Sequence, residues 1–338
     1  MLPAILSHMS RTTGAVTPNP ERRGITERAV EVSADVPVRD LRWSATSVST
    51  FEQCPLKLWW GKVAGWQEGP SVATAAGTAV HEALEHLLSR EPGDRTQAAG
   101  EQLLVEALEA AADELEAAQV SRDEVRTKSE AALQVYWQIE DPTTVDVLGL
   151  ETPLGPQLGD VPFSGYADRL AATATGVRVT DYKTGAAKPR YFGPYFRQQY
   201  LYAAALEADH DVTEIELLFL GDGRRVRRPV YPAALARAVG DLTDSAEQAQ
   251  VMADSGVWTA RQSPLCGWCS FEKVCPLRTS RAPLPGSSAS NDRLAAQPGM
   301  IHRPPVARVV DNLNPLGLDS VDSAEIETAL ADDPQWLL

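Results

Sequence analysis

Residues Val177–Gly185 read VRVTDYKTG, and this stretch decides how the rest of the chain is understood. Val177 and Val179 are β-branched, and Gly176 and Gly185 punctuate the two ends, so the pattern predicts a short β-strand. Side chains alternate along a strand, which puts Asp181 and Lys183 on one face and Tyr182 on the other. A carboxylate and an ammonium at the carboxyl end of a strand are poor core material. They suit a centre that holds a divalent cation with a water beside it. Carboxylate oxygens are hard ligands for Mg2+ or Mn2+. A neighbouring lysine can orient the water, take its proton or stabilise charge developing on a phosphate. Alone, D-x-K reads more simply as a surface ion pair; its surroundings in the chain change that.

Upstream, VDVLGLE (145–151) and VPFSGYADRLAAT (161–173) read as strands, the second turning through Ala-Thr-Gly into VRVTDYKTG. This hairpin predicts that Asp168, on the outgoing strand, lies near Asp181 on the returning one. GTAVHEALEHLLSR reads as a helix over 75–89, with Val80, Leu84, Leu87 and Leu88 on one stripe and His81 one position from it. Glu82, Glu85 and His86 are expected in solvent. Downstream, 194–208 reads as a helix in which Gln198 and Tyr202, four apart, share a face. Two further strands, EIELLFL and RRVRRPVY, and an amphipathic helix over 232–255 follow.

The 338 residues can bury one large core or two modest ones. No apolar run is long enough for a membrane span, and the N-terminus lacks the apolar core and cleavage site of a secretory signal, so the expected location is the cytoplasm. The formal charge of −15 argues superficially against a nucleic-acid partner. Its distribution matters more. Lys183, Lys188, Arg190 and Arg197 stand in an acid-free stretch, and Arg224, Arg225, Arg227 and Arg228 follow, a local basic track that can bind a phosphate backbone or simply be solvated. Three segments are expected: 1–40, a disordered extension; 41–280, the folded domain; and 281–338, a mostly disordered acidic tail. In the domain's first helix Thr46 or Ser47 is the expected cap, and Trp59 and Trp60 are expected in the core.

Four cysteines occur, Cys54 near the start of the domain and Cys266-x2-Cys269-x5-Cys275 at its end. Disulfides are not expected in a cytoplasmic protein. Four thiolates are the ligand set of a [4Fe–4S] cluster and equally of a structural Zn2+ site.

Taken in order, Cys54, His81, Asp168, Asp181-x-Lys183, Gln198-x3-Tyr202 and the cysteine trio resemble the RecB-like branch of the PD-(D/E)XK nucleases with an iron–sulfur cluster. That branch holds the RecB-family exonucleases and the related CRISPR-adaptation nuclease. The resemblance implies an α/β fold of restriction-endonuclease type: a central mixed sheet flanked by helices, with a helical N-terminal portion and a C-terminal cysteine segment closing on it. It implies His81, Asp168, Asp181 and the carbonyl of Tyr182 as ligands of Mg2+ or Mn2+, with Lys183 as the catalytic lysine. Gln198 and Tyr202 would hold DNA or orient that lysine, and Glu151 resembles an acid at a less definite position. The resemblance further implies a [4Fe–4S] cluster on Cys54, Cys266, Cys269 and Cys275, with Zn2+ as the alternative. The implied activity is cleavage of single-stranded DNA or DNA ends in repair or recombination, with a helicase or other repair proteins as partners. Two rival readings are a nuclease trimming DNA for CRISPR adaptation and a non-catalytic DNA-binding scaffold subunit. The filled acidic, lysine and histidine positions count against the second.

Overall fold

A computed structural model describes residues 26–36 and 41–303. In chain order the elements are β1 (Glu27–Glu31), α1 (Ala45–Gln53), α2 (Pro55–Leu58), β2 (Trp66–Glu68), α3 (Val72–Leu88), α4 (Gln97–Ala110), α5 (Ala112–Ala117), α6 (Arg122–Ile139), β3 (Val147–Leu154), β4 (Gln157–Leu158), β5 (Val161–Pro162), β6 (Gly165–Thr173), β7 (Gly176–Lys183), α7 (Phe192–Leu206), β8 (Val212–Phe219), β9 (Arg224–Pro229), α8 (Pro232–Ser255), β10 (Val257–Arg261), α9 (Ser288–Ala295) and β11 (Met300–His302). A π-helical turn, Trp59–Val63, continues α2 and was not foreseen from the sequence.

The centre is a five-stranded mixed sheet in the order β3-β6-β7-β8-β9. Only β7 and β8 are parallel, and α7 makes the crossover between them, because a parallel step cannot close through a tight turn. Period-two alternation in β8 feeds two cores. Ile215, Leu217 and Phe219 join the core that also holds α1, α7 and α8, whereas Leu218 joins Tyr182 in the core under α3, α4 and α6. The α/β architecture expected from the sequence is therefore the one formed. The β6–β7 turn depends on Gly176, whose φ of +143° suits glycine, and whose Cβ would stand 2.6 Å from the Asp211 carbonyl oxygen.

Helix starts follow side-chain chemistry. Ser44, rather than Thr46 or Ser47, caps α1 by accepting the Ser47 N–H. A Ser71–Thr74 capping box starts α3 three residues earlier than expected, and Ser121 caps α6.

The extension expected to be disordered over 1–40 is corrected at Glu27–Glu31, which pairs antiparallel with β10, with Ala29 and Thr259 at its centre. Trp258 and Ala260 are buried and supply the hydrophobic reason. The tail expected from 281 onward is likewise ordered at first: α9 and β11 fold back onto β2. There His302 stacks on Trp66 with ring centroids 4.5 Å apart, and the Trp66 indole donates to Asn291 Oδ1. The two flanks also meet each other, the Ser33 N–H donating to the Pro285 carbonyl at 2.8 Å. Residues 1–25, 37–40 and 304–338 lie outside the described residues.

Candidate active site

The β6–β7 ladder stops at the pair Arg169–Thr180, and the site occupies the opening beyond it. With its ladder partner gone, the Tyr182 N–H donates instead to Asp168 Oδ2 at 2.9 Å. The freed Tyr182 carbonyl oxygen lies 2.9 Å from His81 Nε2, and His81 Nδ1 lies 3.5 Å from Asp168 Oδ2. Buried Ala79, Val80, Ala83 and Leu84 hold that turn of α3 against the core and leave His81 at the rim.

Asp181 and Lys183 do share a face of β7. Lys183 Nζ lies 2.9 Å from Asp181 Oδ1 and 2.8 Å from Oδ2. Gln198 on α7 donates to Asp181 Oδ1 at 3.2 Å and to the Tyr202 hydroxyl at 3.0 Å, so the pair that shares a helix face reaches the strand as one unit. Asp181 is only 2% exposed, and its Oδ2 lacks a well-aligned hydrogen-bond donor. Burial, with repulsion from Asp168, pushes its carboxyl up to about 6 against the opposing pull of Lys183. Burial alone would lower the Lys183 ammonium; Asp181 and Asp168 outweigh it and raise it.

One functional candidate was underestimated by the sequence. Between the pairs Leu150–Arg169 and Thr152–Ala167, Glu151 stands opposite Asp168. Its backbone adopts φ +40°, a left-handed conformation unusual for a non-glycine residue in a strand. His81, Glu151 and Asp168 each offer a ligand atom within 4.8 Å of the others. Burial and the Asp168 charge push the Glu151 carboxyl up to about 7. The signal was available: a glutamate at the registered position facing Asp168. It could be used only once the β3–β6 register was known. Glu82 and Glu85, expected in solvent, are half-buried, and the Glu85 charge adds to the load on Glu151.

Three carboxyls and an imidazole thus crowd one opening, with two of the carboxyls held above their ordinary range by burial and mutual repulsion. A divalent cation bound there would relieve that repulsion, so the donor set fits a hard metal ion.

Half of the basic track is engaged in internal ion pairs. Arg225 and Arg227 reach the buried Glu216, Arg225 also reaches Glu140, and Arg197 pairs with Glu52. Lys188, Arg224 and Arg228 are exposed, Arg228 lying over the Phe196 ring.

The four cysteines, all unpaired and half-buried, gather where α1 ends beside β10. The Arg261 N–H points to Cys54 Sγ, and the Ser263 N–H to Cys266 Sγ. Burial pushes the Cys269 thiol up to about 11, and Cys54 and Cys275 add to the rise.

A mixed sheet with an acidic opening and a lysine at the end of a central strand defines a restriction-endonuclease-like fold. The model of the PD-(D/E)XK nuclease superfamily matches residues 42–276, well over half of the chain, and the chain belongs to that superfamily. No curated protein matches it. Among the described residues no helix is long and apolar enough to cross a membrane.

Proposed function

We propose that this chain is a metal-dependent DNA nuclease of the RecB-like branch, acting as an exonuclease on single strands or DNA ends in repair or recombination. One observation carries the reading: His81, Glu151, Asp168 and Asp181 converge at the opened end of the β6–β7 ladder with Lys183 alongside. His81, Asp168, Asp181 and the Tyr182 carbonyl would hold Mg2+ or Mn2+, and Glu151 would complete the acidic set. When bound, the ion supplies a water of lowered pKa and a Lewis acid for the phosphoryl oxygen. Lys183 places positive charge where the phosphate gains negative charge. Gln198 holds the Asp181 carboxylate in register and is itself fixed by Tyr202. Asp168 fixes the Tyr182 peptide through its N–H, which aims the carbonyl at the site.

The cysteines are proposed to hold a [4Fe–4S] cluster that joins the two ends of the domain. Their thiols are near enough to raise one another, and four thiolates are the ligand set of such a cluster, with a structural Zn2+ as the alternative. The expected partners are DNA and a helicase or other repair proteins, in the cytoplasm.

Cleavage assays with Mg2+ and Mn2+ on linear single-stranded, linear duplex and circular DNA test this reading. Linear substrates are expected to be degraded, circles spared, and Asp181→Ala and Lys183→Ala inactive. Full activity in Asp181→Ala would refute the site, and cutting of circles would remove the exonuclease assignment.

A further inference from the structure

Lys183 is held from two sides, and only one of them belongs to the acidic centre. Asp181 grips the ammonium with both carboxylate oxygens. On another side, Nζ lies 5.0 Å from the centroid of the Tyr195 ring, within the range at which an ammonium is drawn to the electron-rich face of an aromatic. Tyr195 precedes Gln198 by three residues and Tyr202 by seven, so α7 presents all three along one face.

The ring is itself anchored. Phe219 stands opposite Lys183 in the β7–β8 ladder. Its ring centroid lies 6.1 Å from that of Tyr195, and it stacks on Phe192 at 5.5 Å. The Lys183 carbonyl accepts the Leu220 N–H at 2.7 Å. The strand that fixes the lysine backbone therefore also fixes the aromatic wall beside its side chain.

The two holders behave differently when a cation is bound. Asp181 is both the counter-ion of Lys183 and a proposed metal ligand, so a cation draws on the same negative charge and loosens its hold on the ammonium. An aromatic face has no formal charge to neutralise and does not ligate a hard cation. We propose that Tyr195 is a positioning residue, keeping the Lys183 ammonium at the phosphate-facing side of the site through the face of its ring while Asp181 is engaged with a divalent cation. This deepens the nuclease reading and rests on it.

The test keeps the shape of the ring and changes its electrostatics. Phenylalanine and its increasingly fluorinated analogues, incorporated at position 195 of the full chain, preserve ring shape while withdrawing negative charge from the face. Phenylalanine itself is expected to retain activity. Increasing fluorination is expected to lower kcat stepwise, to about tenfold for the fully fluorinated ring, with KM within about twofold. A second readout does not need turnover. In lysine-labelled protein, the Lys183 ε-methylene resonance should remain shifted by the ring current when Mg2+ is added, and lose that shift in Tyr195→Leu. Wild-type activity with a flat fluorine series, a loss carried by KM, or a Lys183 resonance indifferent to Tyr195→Leu overturns the inference alone. A wild-type chain that cleaves no DNA with either metal overturns the nuclease reading and this inference with it.

Discussion

At the scale of single residues, the site is a place where folding pushes carboxyls together and leaves the strain for a ligand to relieve. Glu151 carries most of this: a left-handed backbone, half-burial and a raised carboxyl. Glu151→Gln should keep the shape and remove the charge. Mn2+ affinity by calorimetry is expected to fall about tenfold or more, and unchanged affinity would remove Glu151 from the ligand set. The pH dependence follows from Asp181. Its folded-state pKa of about 6 stands above the ordinary 3.8, so folding disfavours the ionised form. The stability tied to the protonated form is fully present below about pH 4 and lost as pH rises through 6. At 1.36 kcal/mol per unit, the loss is on the order of 3 kcal/mol in metal-free protein. Relative to Asp181→Asn, metal-free wild type should therefore lose stability in denaturant melts between pH 4 and 7. Divalent cation should restore it most at the upper end, where the carboxylates are ionised. A wild-type curve parallel to that of Asp181→Asn would show that burial does not load this carboxyl. Asp181, Lys183 and Asp168 were legible in the sequence because strand alternation and one hairpin suffice to place them. Glu151 was not, because its role depends on a register between β3 and β6 that nothing local announces.

At the scale of elements, the splayed hairpin needs something to hold its strands on the side away from the acidic opening. Arg169, next to Asp168 and 1% exposed, lies on the opposite face of β6. It pairs with Glu140 at the end of α6 and reaches Thr180 on β7 and Glu216 on β8. One guanidinium thus ties a helix end to three adjacent strands just where the β6–β7 ladder ends. Removing one member of a buried ionic set leaves its partners uncompensated, typically at about 3–5 kcal/mol. Arg225 and Arg227 also reach these acids, so Arg169→Met should fall near the lower bound, about 3 kcal/mol in chemical denaturation. A change under about 1 kcal/mol would show that the β9 arginines carry the network by themselves. The same network engages two of the four arginines in the run, Arg225 and Arg227. From sequence alone those two charges look free, because Glu140 and Glu216, which pair with them, come from a helix end and a strand that only the fold brings alongside. Helices and strands were legible through their periodicity and caps. The π-helical turn at Trp59–Val63 was not, since its residues would serve an ordinary helix equally well.

At the scale of the whole molecule, the folded domain is closed where its two ends meet. Cys54 lies at the junction of α1 and α2, and the segment after β10 carries Cys266, Cys269 and Cys275, so the four cysteines come from sequence-distant pieces. The flanks outside the family domain reinforce that closure. β1 pairs with β10, Arg28 donates to the Pro276 carbonyl, and the α9–β11 flank returns to β2, where Glu68 accepts from Ser270 in the cysteine segment. If the four thiolates hold one cluster, Cys54 and Cys275 act as a unit despite their separation in sequence. Cys54→Ser and Cys275→Ser should then give the same result: loss of iron by metal analysis, a lower Tm, and protease cuts near both ends of the domain in either variant. The double variant should melt no lower than the single ones, because residues serving one centre are not additive. Additive losses, or cuts confined to the end that carries the mutation, would mean that each cysteine stabilises only its own segment. The flanks would then be the closure, and Trp66, which is buried, stacked on His302 and bonded to Asn291, would become its keystone.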